Sequence, residues 1–143
     1  MSTRTRIVEA TPSEVWDVLA DGWLYPVWVV GASRMREVDD HWPDAGAKLH
    51  HSVGVWPALI DDTTEVLDSV RTQHLRLRAR GWPAGEAEVE LRLVPHDTDT
   101  EVSITEDVVK GPGLLMPKPL RDVQIAIRNT ETLKRLAYIA ENR

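Results

Sequence analysis

The sequence predicts an α+β fold: a curved antiparallel sheet of six to seven strands wrapped around a long C-terminal helix, with two short helices after the first strand. Three observations carry this expectation. The runs His74–Arg80 and Glu86–Leu93 alternate polar and apolar residues without a break. A capped helix start stands at Thr11. The last part of the chain, from about Leu120 to Glu141, repeats apolar residues at helical spacing.

Taken in order, Thr5–Ala10 reads as a strand. In Thr11-Pro12-Ser13-Glu14, Thr11 is the N-cap, Pro12 takes the first helical position and Glu14 completes a capping box. Val15, Val18 and Leu19 recur beside Trp16, and Asp21-Gly22 ends the helix. Trp23–Trp28 forms a second short helix or an apolar loop. Strand candidates follow at Arg34–Asp39, Lys48–Val55 and Ala58–Asp68, the first closed by the turn-rich segment His41–Gly46.

The two alternating runs flank Gly81-Trp82-Pro83-Ala84-Gly85, a turn by composition, so folding about it sets the register. Arg80 faces Glu86, Arg78 faces Glu88 and Arg76 faces Glu90; Ala79, Leu77 and Leu75 meet Ala87, Val89 and Leu91 on the other side. A slip by one residue would drive every charge into the core. Both signs alternate along this stripe and cancel, which marks a solvated face rather than a binding patch. A last strand, Glu101–Val108, leads through Gly111–Pro117 to the long helix. Its expected apolar stripe is Val123, Ile127, Leu133, Leu136, Ala137 and Ala140. One helix does not fill the concave side of so wide a sheet, so a space between them is expected, and such spaces bind small molecules.

Composition narrows the function. At 143 residues the chain forms one domain, 1–143, large enough to bury about two-thirds of its unfolded surface. With 17 basic and 23 acidic residues it is a net anion, ill suited to nucleic acid or anionic lipid without selectivity, and rRNA as a partner is disfavoured. The lack of cysteine excludes disulfides, thiolate metal sites and a thiol nucleophile. The N-terminus lacks the apolar core of a signal peptide, and no apolar run reaches the roughly 18 residues of a membrane span. A cytoplasmic protein, monomeric or homodimeric and not stably inserted in a membrane, is expected.

The segment Val8–Asp21, VEATPSEVWDVLAD, resembles the opening of SRPBCC-superfamily proteins, in particular the polyketide cyclase/dehydrase-like branch. These are similar to START lipid-binding domains and the birch-pollen allergen in having a helix-grip fold, and the element order agrees over essentially the whole chain. Leu49–Pro57 looks like a signature of actinobacterial members. The resemblance implies a hydrophobic cavity for a lipid, polyketide or other aromatic or isoprenoid molecule. It implies no reaction and carries over no active-site residue, since the superfamily shares no catalytic motif.

Inward polar side chains supply any chemistry in such a cavity. Glu106 shares a face with Val102, Ile104 and Val108, where a desolvated, unpaired carboxylate suits a general acid or base; pairing with an Arg or a Trp donor is the structural alternative. Of Asp61 and Asp62 one must face inward, Asp62 if Ile60, Thr64 and Val66 do and Asp61 in the opposite phase; the resemblance favours Asp62. His51 shares its face with Leu49, Val53 and Val55, so it rather than His50 points to the cavity, as a proton carrier or as a satisfied core residue. Adjacent strand histidines cannot chelate one ion, and neither HxxxH nor HExxH occurs, so no metal or cofactor is expected. Trp16 is core or cavity wall, and Trp42 and Trp82 cap the sheet's ends. Trp23, Tyr25 and Trp28 cluster where a cavity mouth would lie, for stacking or ordinary packing. Leu114, Leu115 and Met116 form a lid, a membrane-touching surface or a segment tucked against the sheet. Ile127 and Arg128 complete the expected ligand-binding set of Trp16, Trp23, Trp28, His51, Val53, Asp62, Glu106 and this loop, and Asn129 also lies near the stripe.

Two functions follow. The first is binding or carriage of a hydrophobic small molecule. The second is a cofactor-independent cyclase or dehydratase using His51, Asp62 or Glu106. Convergence of those three groups would favour the enzyme.

Overall fold

The computed structural model describes residues 2–30, 32–53, 60–81 and 85–143. Strand β1 (Ser2–Val8) leads into helix α1 (Pro12–Ala20), a 3-10 turn (Gly22–Leu24) and the one-turn helix α2 (Tyr25–Trp28). Six strands follow: β2 (Ala32–Val38), β3 (Lys48–Val53), β4 (Ile60–Val70), β5 (His74–Gly81), β6 (Gly85–His96) and β7 (Asp99–Lys110). A 3-10 turn (Pro112–Leu115) then precedes helix α3 (Lys118–Glu141). The strands form one antiparallel sheet in the order β1-β7-β6-β5-β4-β3-β2, so β1 returns beside β7. This is the helix-grip arrangement.

Local chemistry explains the elements. Thr11 Oγ1 accepts from the Glu14 amide at 3.2 Å, and the Thr11 amide donates to Glu14 Oε1 at 3.0 Å, which closes the capping box. β1 ends two residues before the expected Ala10 because the Ala10 amide turns back to the Val8 carbonyl at 2.8 Å. Thr100 Oγ1 fastens that turn by donating to the Ala10 carbonyl at 2.8 Å. Trp42, in the turn between β2 and β3, is tied to α1 instead: its indole Nε1 donates to the Leu19 carbonyl at 3.1 Å. Trp82 lies outside the described residues, as do Trp56 and Pro57.

The β5–β6 register is the expected one, with Arg76 opposite Glu90, Arg78 opposite Glu88 and Arg80 opposite Glu86. The ion pairs themselves run partly on the diagonal: Glu88 holds both Arg76 at 3.0 Å and Arg78 at 2.9 Å. Leu75, Leu77 and Leu91 point the other way and are fully buried.

The second half of the expected α3 stripe, Leu133, Leu136, Ala137 and Ala140, is buried as expected, but its first two members are not. Ile125, Ala126, Asn129, Thr132, Leu133, Leu136, Ala137 and Ala140 are buried, whereas Val123 is exposed and Ile127 is 68% exposed. Ile127 lies six positions before Leu133, which is about 120° away around the helix. Hydrophobicity alone assigned Val123 and Ile127 to the core, but the true inner face carries two polar residues, Asn129 and Thr132. Accordingly, Leu136→Ala should cost about 2–5 kcal/mol of unfolding free energy, and Ile127→Ala less than about 0.5 kcal/mol. Urea denaturation of both variants checks this, and equal losses would reinstate the apolar-stripe assignment.

Candidate functional site

Side chains from α2, β3 and β4 meet on the concave face. The Tyr25 ring stands edge-on to Trp28, with centroids 5.3 Å apart, and lies nearly parallel to His51, with centroids 6.0 Å apart. Such offset pairs suit the ring quadrupole. The β3–β4 register sets His51 opposite Asp62, and Thr64, two residues on, shares their face. His51 Nε2 lies 2.9 Å from Thr64 Oγ1, and the Tyr25 hydroxyl lies 3.5 Å from the same oxygen. One threonine hydroxyl therefore joins a phenol to an imidazole.

α3 and β7 close the other side. Arg128 pairs with Glu106, which is buried at the inner face of β7. The neighbouring Asn129 and, one turn on, Thr132 are buried too, and the Thr132 hydroxyl accepts from the Val30 amide at 3.4 Å, pinning the end of α2 to α3. Burial is the main force that raises the Tyr25 pKa; the Thr64 hydrogen bond opposes it, and the charges of Glu106 and Arg128 act with smaller, opposite effects. The ion pair is thus within electrostatic reach of the phenol. Burial also pushes the His51 pKa down, only partly offset by the Asp62 charge, so the ring is neutral at neutral pH.

Three nitrogens in this region are buried with no hydrogen-bond partner: Trp28 Nε1, His51 Nδ1 and Asn129 Nδ2. An unmet buried polar group costs about 1–3 kcal/mol, so three on one inner face make a costly arrangement. The indole and the amide can only donate. The imidazole has two forms. When Thr64 donates to Nε2, Nδ1 carries the proton and donates; in the reverse polarity Nδ1 accepts.

The expected residues divide clearly. Trp28, His51, Glu106 and Arg128 come together, and Trp16 is core on α1. Asp62 shares the His51 face but is only half-buried, and its Oδ1 accepts from the Thr63 amide at 2.8 Å. No hydrogen bond joins Asp62, His51 and Glu106, so the three acid–base candidates do not converge. The Val53 side chain lies outside the described residues. Ile127 faces water and is corrected from an inner position to a surface one, whereas Leu114 and Leu115 are exposed and Met116 is half-buried, which places that loop at the surface rather than wholly tucked against the sheet. Trp23, in the 3-10 turn after α1, is 57% exposed and is corrected from an inner position to a surface one. It lines a separate open cleft of about 570 Å³ with Trp42, Asp17, Asp21, Asp39 and Asp40.

Tyr25 was expected in the aromatic cluster for stacking or packing and Asn129 as a polar residue able to reach inside, whereas Thr64 was named only to set the phase of Asp62. Asn129 was detectable: it sits four residues from both Ile125 and Leu133, in phase with the buried face. The hydrogen bonding of Tyr25 and His51 to Thr64 had no such signal, because it depends on α2 folding back over β3 and β4. Among the described residues, no three His, Asp or Glu side chains stand together as a metal site would require.

A family model described as polyketide cyclase/dehydrase and lipid transport matches residues 2–138. No curated protein matches the sequence. Several solved structures share the fold. The aromatase/cyclase ZhuI from Streptomyces sp. R1128 is 21% identical, with a TM-score of 0.73 over 99% of this chain and 93% of its own. Ara h 8.0201 is 12% identical, with a TM-score of 0.72 over 98% and 97%. Protein CV1439 from Chromobacterium violaceum is 17% identical, with a TM-score of 0.70 over 99% and 97%.

The lowered His51 pKa makes a pH prediction. Below about pH 6.5, the ordinary histidine value, the unfolded chain binds a proton that the folded chain resists, so stability falls as the pH drops through that range. His51→Gln should flatten this decline between about pH 7.5 and 5.5 relative to wild type. Urea midpoints at the two values measure it, and identical declines would mean that His51 titrates as it does in water.

Proposed function

The chain belongs to the polyketide cyclase/dehydrase and lipid transport family, and from that premise we propose that it binds and carries a hydrophobic small molecule whose ring system bears carbonyl or hydroxyl oxygens. The observation that supports this reading is the trio of unpartnered buried nitrogens, Trp28 Nε1, His51 Nδ1 and Asn129 Nδ2, beside the Tyr25 and His51 rings. A flat ligand between α3 and the sheet stacks on those rings. Its oxygens accept from the indole and the amide, which relieves the cost of leaving them unmet. The ring body displaces water from leucine and valine surface, the larger part of the binding energy.

Carriage is favoured over conversion because the carboxylates are occupied. Glu106 is held by Arg128, and Asp62 by the Thr63 amide. The enzyme reading, a cyclase or dehydratase, rests on one feature: the Tyr25–Thr64–His51 chain ends on a neutral imidazole, which can accept a proton from a bound ligand.

Titration with a hydroxylated anthraquinone should quench the tryptophan fluorescence of the wild type. Trp28→Phe and Asn129→Leu should each weaken its binding by roughly two- to tenfold, the worth of one hydrogen bond. Absence of quenching, together with no small molecule retained in native mass spectrometry of the purified protein, would refute the carrier reading. Conversion of the bound quinone precursor by wild type but not by His51→Gln would replace it with the enzyme.

A further inference from the structure

Exposed apolar side chains are ordinarily scattered over a protein surface. Here six of the twelve large ones among the described residues fall within one short stretch: Val109, Leu114, Leu115, Leu120, Val123 and Ile127. Leu120, Val123 and Ile127 stand at i, i+3 and i+7 on α3 and form one stripe turned to water. Leu115 closes the 3-10 turn just before the helix and is 87% exposed.

The charge around this stripe is opposite to that of the molecule. Residues 107–127 hold three cations, Lys110, Lys118 and Arg121, against two carboxylates, Asp107 and Asp122, while the rest of the chain holds 14 cations against 21 carboxylates. The Lys118 ammonium reaches Asp122 at 2.8 Å, which leaves the segment as a whole cationic. A second copy meeting the same face by two-fold symmetry would set cation against cation. An anionic lipid surface, by contrast, accepts the leucines between its headgroups and the cations beside its phosphates. The anionic remainder of the chain is repelled and turned outward.

We propose that the turn Pro112–Leu115 and the outer face of the first half of α3 dock peripherally on an anionic bilayer. No helix among the described residues is long and apolar enough to cross one, so the contact is interfacial. The stripe ends at Ile127, next to the Arg128 that closes over Glu106, so docking brings the lipid headgroups to the edge of the proposed binding site. The docking itself does not depend on what that site binds.

The test is cosedimentation with vesicles of phosphatidylcholine containing phosphatidylglycerol, and with vesicles of phosphatidylcholine alone. The protein should bind the anionic vesicles preferentially, and added salt should weaken that binding. Leu115→Asp combined with Ile127→Asp should lower the partition coefficient by at least roughly tenfold, and Lys110→Glu by roughly tenfold. Both aspartates replace exposed side chains, and an unchanged thermal melt confirms that the fold is intact. Val94→Asp, at an exposed apolar position on β6, should leave binding unchanged. Failure of the wild type to bind either vesicle, or an equal loss with Val94→Asp, would overturn the proposal. So would light scattering that showed a dimer dissolved by Ile127→Asp.

Discussion

Seven strands present one apolar face to be covered, and a single long helix is available to cover it. At about 4.8 Å between neighbours the sheet is about 29 Å across if flat, against about 10 Å for a helix with its side chains. The sheet must curl around α3, and α1 and α2 must take the strip that α3 cannot reach. Every inner position then falls into one of two settings. Some are pressed between leucines, as Leu75, Leu77 and Leu91 are against the helix layer. Others lie toward α2, where rings and polar groups gather instead of aliphatic chains.

That second setting is chemically distinctive because it runs against the usual rule for interiors. Buried donors are nearly always paired, and a face that needed only stability would carry Leu or Met at Asn129 and Phe at Trp28. The stable parts of the fold are well satisfied: the capping box, the Thr100 tie to Ala10 and the Trp42 bond to Leu19 leave nothing open. Among the described residues, three of the five unpartnered buried side-chain nitrogens, Trp28 Nε1, His51 Nδ1 and Asn129 Nδ2, lie on this inner face. A neutral imidazole in the same place keeps the region free of a buried cation near Arg128, so a ligand's oxygen meets dipoles rather than a fixed charge.

Most of the scaffold could be derived from local pattern. Alternation between Arg76 and Glu90 gave both the pairing and the register, since only one alignment keeps the charges outside. Thr11-Pro12-Ser13-Glu14 announced α1 by its own chemistry. What local pattern missed was phase over distance. On α3 Leu133, Leu136, Ala137 and Ala140 were placed inward correctly, but Val123 and Ile127 were joined to them for their hydrophobicity although Asn129 and Thr132 hold the phase of that face. Glu106 was placed inward correctly by alternation, with pairing to an Arg as its structural alternative, yet which Arg was invisible because Arg128 sits 22 residues away on another element. Tyr25 and Thr64 illustrate the same limit across 39 residues.

The outward isoleucine and the inward asparagine are two consequences of one rotation. Turning α3 by about 120° would bury Val123 and Ile127 but carry Leu136 and its buried neighbours out to water, so apolar burial already favours the observed phase. It would also expel Asn129 and Thr132, break the bond from the Val30 amide, and swing Arg128 off Glu106. Leaving Glu106 as an unpaired carboxylate among Val102 and Ile104 costs several kcal/mol more. The ion pair therefore reinforces a helix phase that the packing of Leu133 and Leu136 already favours. That phase holds the polar side chains against the sheet and the apolar stripe toward solvent, so the inner site and the outer surface follow from one packing arrangement.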